Sequence, residues 1–250
     1  MISIKSEREL ELMRIAGHIN ALAHKAVADA LRPGVSTKEL DMIAYETIIK
    51  NDATPSFKGL YGYPATICAS INDVLVHGIP DNTRLKDGDI ISIDIGSCYK
   101  GYHGDSAWTY AIGEVPQSTL DLMEATKTSL FKGLGMVKPG NRLGDISFAI
   151  GDYAHSQGYS VTLDYTGHGV GAKLHEDPSI PNFGEAGKGV RLREGMTLAI
   201  EPMVSAGTAE MITMPDGWTV KTADGKLCAH YEHSIVITKD GYEILTTLDK

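Results

Sequence analysis

Several functional classes are excluded by what the chain has little of. Cysteine is scarce: Cys68, Cys98 and Cys228 are the three in 250 residues, and no two stand in CxxC spacing. That excludes a disulfide framework and a zinc finger, and it suits a reducing cytoplasm. Positive charge is outnumbered, with 23 Lys and Arg against 32 Asp and Glu and a net charge of -9. Such a balance argues against direct nucleic-acid binding through phosphates and against an anionic membrane surface. No apolar run approaches the roughly 20 residues of a membrane span, and the segment Met1-Ile-Ser-Ile-Lys-Ser-Glu-Arg-Glu-Leu10 has no apolar signal core. A GxSxG elbow is missing, the Gly-Lys of residues 184–189 is followed by neither Ser nor Thr, and Gly167-x-Gly169-x-Gly171 is not a dinucleotide fingerprint. No cysteine has the electropositive surroundings of a nucleophile. A hydrophobic content of 42% and charged content of 22% are ordinary for a globular protein large enough for one sizeable core. No low-complexity linker divides it, so residues 1–250 are expected to form one domain.

What the chain does have is a phrase written twice. Leu85-Lys-Asp-Gly-Asp-Ile-Ile-Ser-Ile-Asp94 and Leu192-Arg-Glu-Gly-Met-Thr-Leu-Ala-Ile-Glu201 each run from a polar turn through glycine and an apolar strand to an acid. The echo extends outward. Leu31-Arg-Pro-Gly34 and Val137-Lys-Pro-Gly140 each precede a helix-like stretch. His77-Gly-Ile-Pro80 and His175-Glu-Asp-Pro178 stand before the two strands. Asp105 and Glu232 open the apolar runs that follow. This period is far too long for a solenoid. It reads as a duplicated half-domain, about 1–112 and 113–250, whose acids meet near a pseudo-twofold axis.

Helices are expected over Ser6 to Leu31 (with a Ser6/Glu9 capping box), Thr37 to Asn51, Pro116 to Met136 and Arg142 to Gln157. Strands are expected over 65–69, 74–76, 90–96, 107–112, 159–163, 196–200, 218–221 and 231–238, with a long loop to Arg193 and a mobile turn at 184–189. The fold class is therefore α+β, with a mostly antiparallel sheet covered by helices.

Asp94, Asp105, Glu201 and Glu232 each border an apolar run. Any one alone is most simply a solvated strand end. Four at matched places of a repeat point to a shared internal site, and four adjacent carboxylates cannot all stay ionised without cations. Lys and Arg are scarce around them, so divalent metal is the better candidate. His168, in Thr166-Gly-His-Gly-Val-Gly171, adds a nitrogen donor, although a lone histidine is ordinarily structural. An oxygen-rich site with one imidazole suits two ions, with manganese, iron, cobalt and zinc all chemically open, and metal-assisted hydrolysis is the natural reaction class. Since His168 aligns with Ser70, only one half is expected to supply nitrogen, which makes the two ions unequal. His77 and His175 fall outside any HExxH pattern and are expected to contact substrate.

Ser70-Ile-Asn-Asp-Val-Leu-Val-His-Gly-Ile-Pro80, Asp94-Ile-Gly96, Gly104-Asp-Ser106, Gly167-His-Gly-Val-Gly171, His175-Glu-Asp-Pro178, Ile200-Glu-Pro-Met203 and His230-Tyr-Glu-His233 together resemble the type I methionine aminopeptidases in their short bacterial form. The likeness runs from about Lys5 to the C-terminus. It implies the pita-bread fold and metal ligands at Asp94, Asp105, His168, Glu201 and Glu232. It also implies that Glu201 is a general base or proton shuttle and that His77 and His175 act on the scissile amide and carbonyl. The methionine pocket would draw on Tyr63, Cys68, Trp218 and Phe57, with Leu174 beside them. Leu60 and Leu174 stand where relatives often have aromatics. Cys228 replaces a common Ser near a monovalent-cation site, which leaves that ion open.

The implied activity is removal of the initiator methionine from nascent polypeptides with a small second residue, in the cytoplasm, by a monomer that encounters the ribosome. An X-Pro dipeptidase is the first alternative, although such enzymes usually carry an extra N-terminal domain for which the chain has no room. A non-catalytic peptide-binding module is the second.

Overall fold

The computed structural model describes residues 2–249, so Met1 and Lys250, the ends of the expected domain, lie outside the described residues. The first half begins with α1 (Glu7–Ala30) and α2 (Thr37–Lys50). At the start of α1 the Glu9 carboxylate accepts the Ser6 N–H and hydroxyl, each at 2.7 Å; Ser36 and Glu39 cap α2 reciprocally. These are the side-chain acceptors and donors that first-turn amides need. Strands β1 (Thr54–Pro55), β2 (Ile67–Ile71), β3 (Val74–Val76), β4 (Ile90–Tyr99) and β5 (Tyr102–Ala111) follow. β4 pairs with β1, β2 and β5, always antiparallel.

The β4–β5 hairpin differs from the expected pair of short strands around a loop. Its ladder continues through Gly96, Gly104 and Asp105 to a two-residue turn. Lys100 and Gly101 there both take positive φ, 48° and 84°, which matches the twist of a tight hairpin. Asp94 and Asp105 are thus inside the ladder, not at strand ends. The polar residues between them read as a loop because their side chains are small or charged, yet backbone pairing needs neither feature.

α1 fixes this hairpin from behind. The Asn20 amide donates to Ile95 O and Gly104 O, the Ser106 hydroxyl donates back to Asn20 Oδ1, and His24 Nε2 lies 2.8 Å from Ser106 O. The approach is close enough that a Cβ on Gly104 would stand 2.7 Å from Gly17 Cα. Glycine at 104 permits this contact, and glycine at 17 makes room for the C-terminal segment, where an added Cβ would lie 2.2 Å from Leu245 O.

The second half comprises α3 (Gln117–Leu134), α4 (Leu143–Ser156), β6 (Ser160–Val161), β7 (Thr166–Gly169), β8 (Glu176–Pro181), β9 (Thr197–Ile200), β10 (Met203–Ser205), β11 (Met211–Thr213), β12 (Val220–Thr222), β13 (Cys228–His230), β14 (His233–Ile237) and β15 (Tyr242–Ile244). A five-stranded sheet runs β15-β14-β9-β7-β8, and two three-stranded sheets run β13-β10-β6 and β11-β12-β3. All described pairings are antiparallel. The expected long loop to Arg193 contains β8, whose proline-bearing sequence hides a strand at the edge of its sheet. The turn at 184–189 is tied to the start of α4, where Asp145 Oδ1 accepts Gly187 N–H at 2.7 Å.

The interior is divided as the repeat is. One apolar cluster joins Ile19, Leu40, Ile48, Ile67, Ile91, Ile93 and Ile95. Another joins Leu122, Leu134, Ile146, Ile150, Leu198, Ile200 and Ile235. Between them runs a polar seam in which alternate residues of β5 meet β13 and β14. Asp105 N–H donates to Ser234 Oγ, Glu232 N–H donates to Ala107 O at 2.8 Å, and His230 N–H donates to Thr109 Oγ1. No helix among the described residues is long and apolar enough to cross a membrane.

Candidate metal centre

The seam opens into a cavity of about 470 Å3, and all of the sequence-expected site residues line it. Asp94 and Asp105 reach it from the unbroken hairpin. On the register Asp94 is opposite Ala107 and Asp105 opposite Gly96, so the two acids are diagonal neighbours on one face. Glu201 and Glu232 arrive differently. The pairs Ile200–His233 and Met203–His230 flank a gap in the second-half ladder, and Glu201-Pro202 faces Tyr231-Glu232 across it. Proline at 202 has no N–H for a ladder, and the longer glutamate side chains project from the gap.

His168 comes from β7. Its Nδ1 lies 2.9 Å from Gly169 O, which directs Nε2 toward Asp105 Oδ2 at 3.7 Å and Glu201 Oε1 at 3.5 Å. A backbone acceptor on one ring nitrogen leaves the other as a lone-pair donor. Burial, reinforced by neighbouring His175, holds the His168 pKa down at about 4. The ring is therefore neutral at pH 7, and its acid contacts are not ion pairs.

The carboxylates are displaced the other way. Burial pushes Asp94 up to about 7 and Glu201 up to about 8. Burial and the neighbouring acids raise Asp105 and Glu232 well above the carboxylate range. No Lys or Arg lines the cavity among the described residues. Buried Asp94 Oδ1, Asp105 Oδ1, Glu232 Oε1 and His230 Nε2 have no hydrogen-bond partner. Unpaired buried acceptors of this kind are costly, and a divalent ion satisfies them. Two donor sets fit one, Asp105 with His168 and Glu232, and Glu201 with His230 and Glu232.

The apolar side of the cavity adjoins this floor directly. Phe57, Tyr63, Ala65, Cys68 and Leu174 form one buried cluster, with Leu60, Ile79 and Trp218 packed on it. Cys68 pairs with Asp94 across β2 and β4. Burial first, then Asp94, keeps its thiol protonated. Tyr63 OH stands 3.0 Å from both Ile67 O and Gly78 O, and its ring meets Trp218 edge to face at 5.1 Å. His77 adopts a positive φ of 59°, an uncommon backbone state for a residue with a side chain. Gly78 holds that turn against β2, where an added Cβ would lie 2.3 Å from Ala69 O. Burial keeps His77 neutral, with a pKa of about 4. His175 stands at the exposed mouth with its ring edge-on to His168 at 4.5 Å.

The family profile described as metallopeptidase family M24 matches residues 11–239. The chain belongs to metallopeptidase family M24. It is 55% identical over 246 residues to methionine aminopeptidase 1 of Bacillus subtilis, covering 98% of this chain and 99% of that one. The crystal structure of methionine aminopeptidase from Thermotoga maritima superposes with a TM-score of 0.98 at 46% identity, covering 99% and 100% of the two chains. The prolidase of Pyrococcus horikoshii gives 0.79 at 25% identity, and the match spans 99% of this chain but 64% of that one. The resemblance to methionine aminopeptidases and the pita-bread architecture thus hold along nearly the whole chain.

Among the cavity residues to which sequence reasoning assigns no role are Tyr165, Met203 and His230. Tyr165 meets His77 edge to face at 5.8 Å, and Met203 lines the wall from β10. Tyr165 sits in no recognised pattern, whereas Met203 closes the Ile200-Glu-Pro-Met203 motif, which by itself marks no wall position. His230 is the larger omission, because the expectation was that one half alone would bring nitrogen. Its position two residues before Glu232, on the same face of an extended segment, was the available signal.

Cys68 and Cys228 are buried and Cys98 is half-buried, and none is in a disulfide. Cys228, beside the open monovalent-cation question, donates its backbone N–H (3.0 Å) and thiol (3.3 Å) to Asn72 O.

Proposed function

We propose that the chain is a divalent-metal-dependent methionine aminopeptidase. It would remove N-terminal methionine from polypeptides whose second residue is small, acting on nascent chains in the cytoplasm as a monomeric, single-domain enzyme. The observation that carries this reading is the direct junction of an apolar, sulfur-tolerant pocket with a floor of unpaired acids, through the Cys68–Asp94 pair. A flexible thioether side chain suits a mixed aromatic and aliphatic wall.

Asp94, Asp105, His168, Glu201 and Glu232 would hold two ions, with manganese, iron, cobalt and zinc as candidates. When bound, such ions acidify water and polarise a carbonyl. The chain supplies the rest. Phe57, Tyr63, Cys68 and Trp218 grip the methionine side chain and exclude water. Glu201 Oε would take and return the proton of the attacking water, a role open to a carboxylate on the cavity floor beside the substrate pocket. Neutral His77 and His175 donate hydrogen bonds to the scissile amide and its carbonyl as charge develops.

Chelated protein is expected to lose cleavage of Met-Ala-Ser, and manganese or cobalt is expected to restore it. Full-rate cleavage by metal-free protein would refute the reading. Turnover of Met-Pro but not Met-Ala-Ser would favour an X-Pro dipeptidase, and binding without turnover under saturating metal a non-catalytic module. Cosedimentation with ribosomes and equilibrium sedimentation of the free chain test the remaining two elements.

A further inference from the structure

His230 is almost fully buried, at 1% exposure, and its Nε2 has no hydrogen-bond partner. Its main chain is clamped from both sides by Thr109, whose Oγ1 accepts His230 N–H at 3.0 Å and donates to His230 O at 2.9 Å. That clamp fixes the strand and so aims the ring. Nε2 lies 3.2 Å from Glu201 Oε2 without hydrogen-bond alignment to it, and the donor atoms of Glu201, His230 and Glu232 all fall within 4.8 Å of one another. A buried imidazole with an unused nitrogen between two acids is the arrangement of a metal ligand. It is an expensive arrangement for a purely structural histidine.

We propose that His230 is a nitrogen ligand of the metal pair on its Glu201–Glu232 side, matching His168 on the Asp105–Glu232 side. Each ion position is then offered one imidazole, and Glu232 is common to both. This rests on the reading of the cavity as a two-ion centre. A second imidazole shifts preference toward cobalt and zinc and away from manganese, which favours oxygen donors.

The test is proton NMR of metal-free protein titrated with cobalt(II), paired with calorimetry. A cobalt-bound histidine gives a strongly shifted, solvent-exchangeable imidazole N–H resonance. We expect two such resonances at full loading, and one after H230Q. In that variant one of the binding steps should weaken at least about tenfold for cobalt, and less for manganese. A single resonance in the unaltered protein overturns the proposal without any variant. So does H230Q with unchanged cobalt affinity and lowered turnover, which would make His230 a positioning residue for Glu201. Absence of any cobalt binding would overturn the two-ion reading itself, and the distinction between the two failures is thus visible in one titration.

Discussion

The two halves present their acids by opposite means. In the first, Asp94 and Asp105 sit within a ten-rung hairpin whose register never slips, and short aspartates suffice because the backbone is already at the cavity. In the second, the equivalent ribbon parts between Ile200–His233 and Met203–His230, and glutamates reach from the gap. A continuous ladder gives rigidity; a parted one gives reach and frees the side chains of Glu201 and His230 to meet. One scaffold, duplicated, has become a continuous wall and a parted one.

That contrast can be broken most severely at Glu201. E201Q is expected to lower kcat on Met-Ala-Ser about 10²–10⁴-fold at full metal loading, because the proton carrier is gone. D94N should instead lose bound ion, seen by metal analysis, with turnover recovering at high metal concentration. Equal losses of kcat at full loading would erase the division of labour between the walls.

Metal removal sharpens the comparison through pH. Asp94 and Glu201, raised to about 7 and about 8, hold protons in the folded chelated protein that the unfolded chain has released. Its stability therefore falls as pH rises from about 4 toward 8. His24 has the opposite sign: burial lowers it to about 4, and the stability from keeping it neutral is lost as pH falls from about 6.5 to 4. The two slopes oppose each other between about pH 4 and 6.5 and the acids act alone above that, so the chelated protein should melt lower at pH 8 than at pH 6.5. Cobalt or manganese should raise the melting temperature more at pH 8 than at pH 6; a pH-independent increment would contradict the buried-acid account.

G104A strikes the rigid wall from behind. Its Cβ would meet Gly17 backbone at 2.7 Å, and neither α1 nor the hairpin can give way cheaply. A loss of about 1–3 kcal/mol in urea unfolding is expected, with weaker metal binding following the displaced Asp105. P202A is the mildest probe. Pro202 O accepts the Tyr231 N–H at 3.3 Å, a bond that alanine keeps, and proline brings no N–H of its own, so a change under about 1 kcal/mol is expected. A larger gain would mean that proline alone holds the ribbon open.

Much of this was legible in the chain before folding. The doubled turn-strand-acid phrase named Asp94 and Glu201, and the matched neighbours named Asp105 and Glu232, because burial against apolar residues constrains sequence on a regular period. Helices α1 to α4 ended within a residue or two of where capping and proline-glycine turns put them. The hairpin through Gly96 and Asp105 was not legible, since backbone pairing leaves little mark on side chains that face a cavity. Nor was the strand 176–181, whose prolines disguise it.

The sequence alone determined the duplicated plan and the acid-rich, cation-poor chemistry of the interior. Only the tertiary structure decided that the second ladder parts, that Thr109 clamps His230, and that this ring faces Glu201 across the seam. Sequence patterns record which residues must be buried together. The meeting of two halves is set by register and long-range hydrogen bonds, which no local pattern encodes.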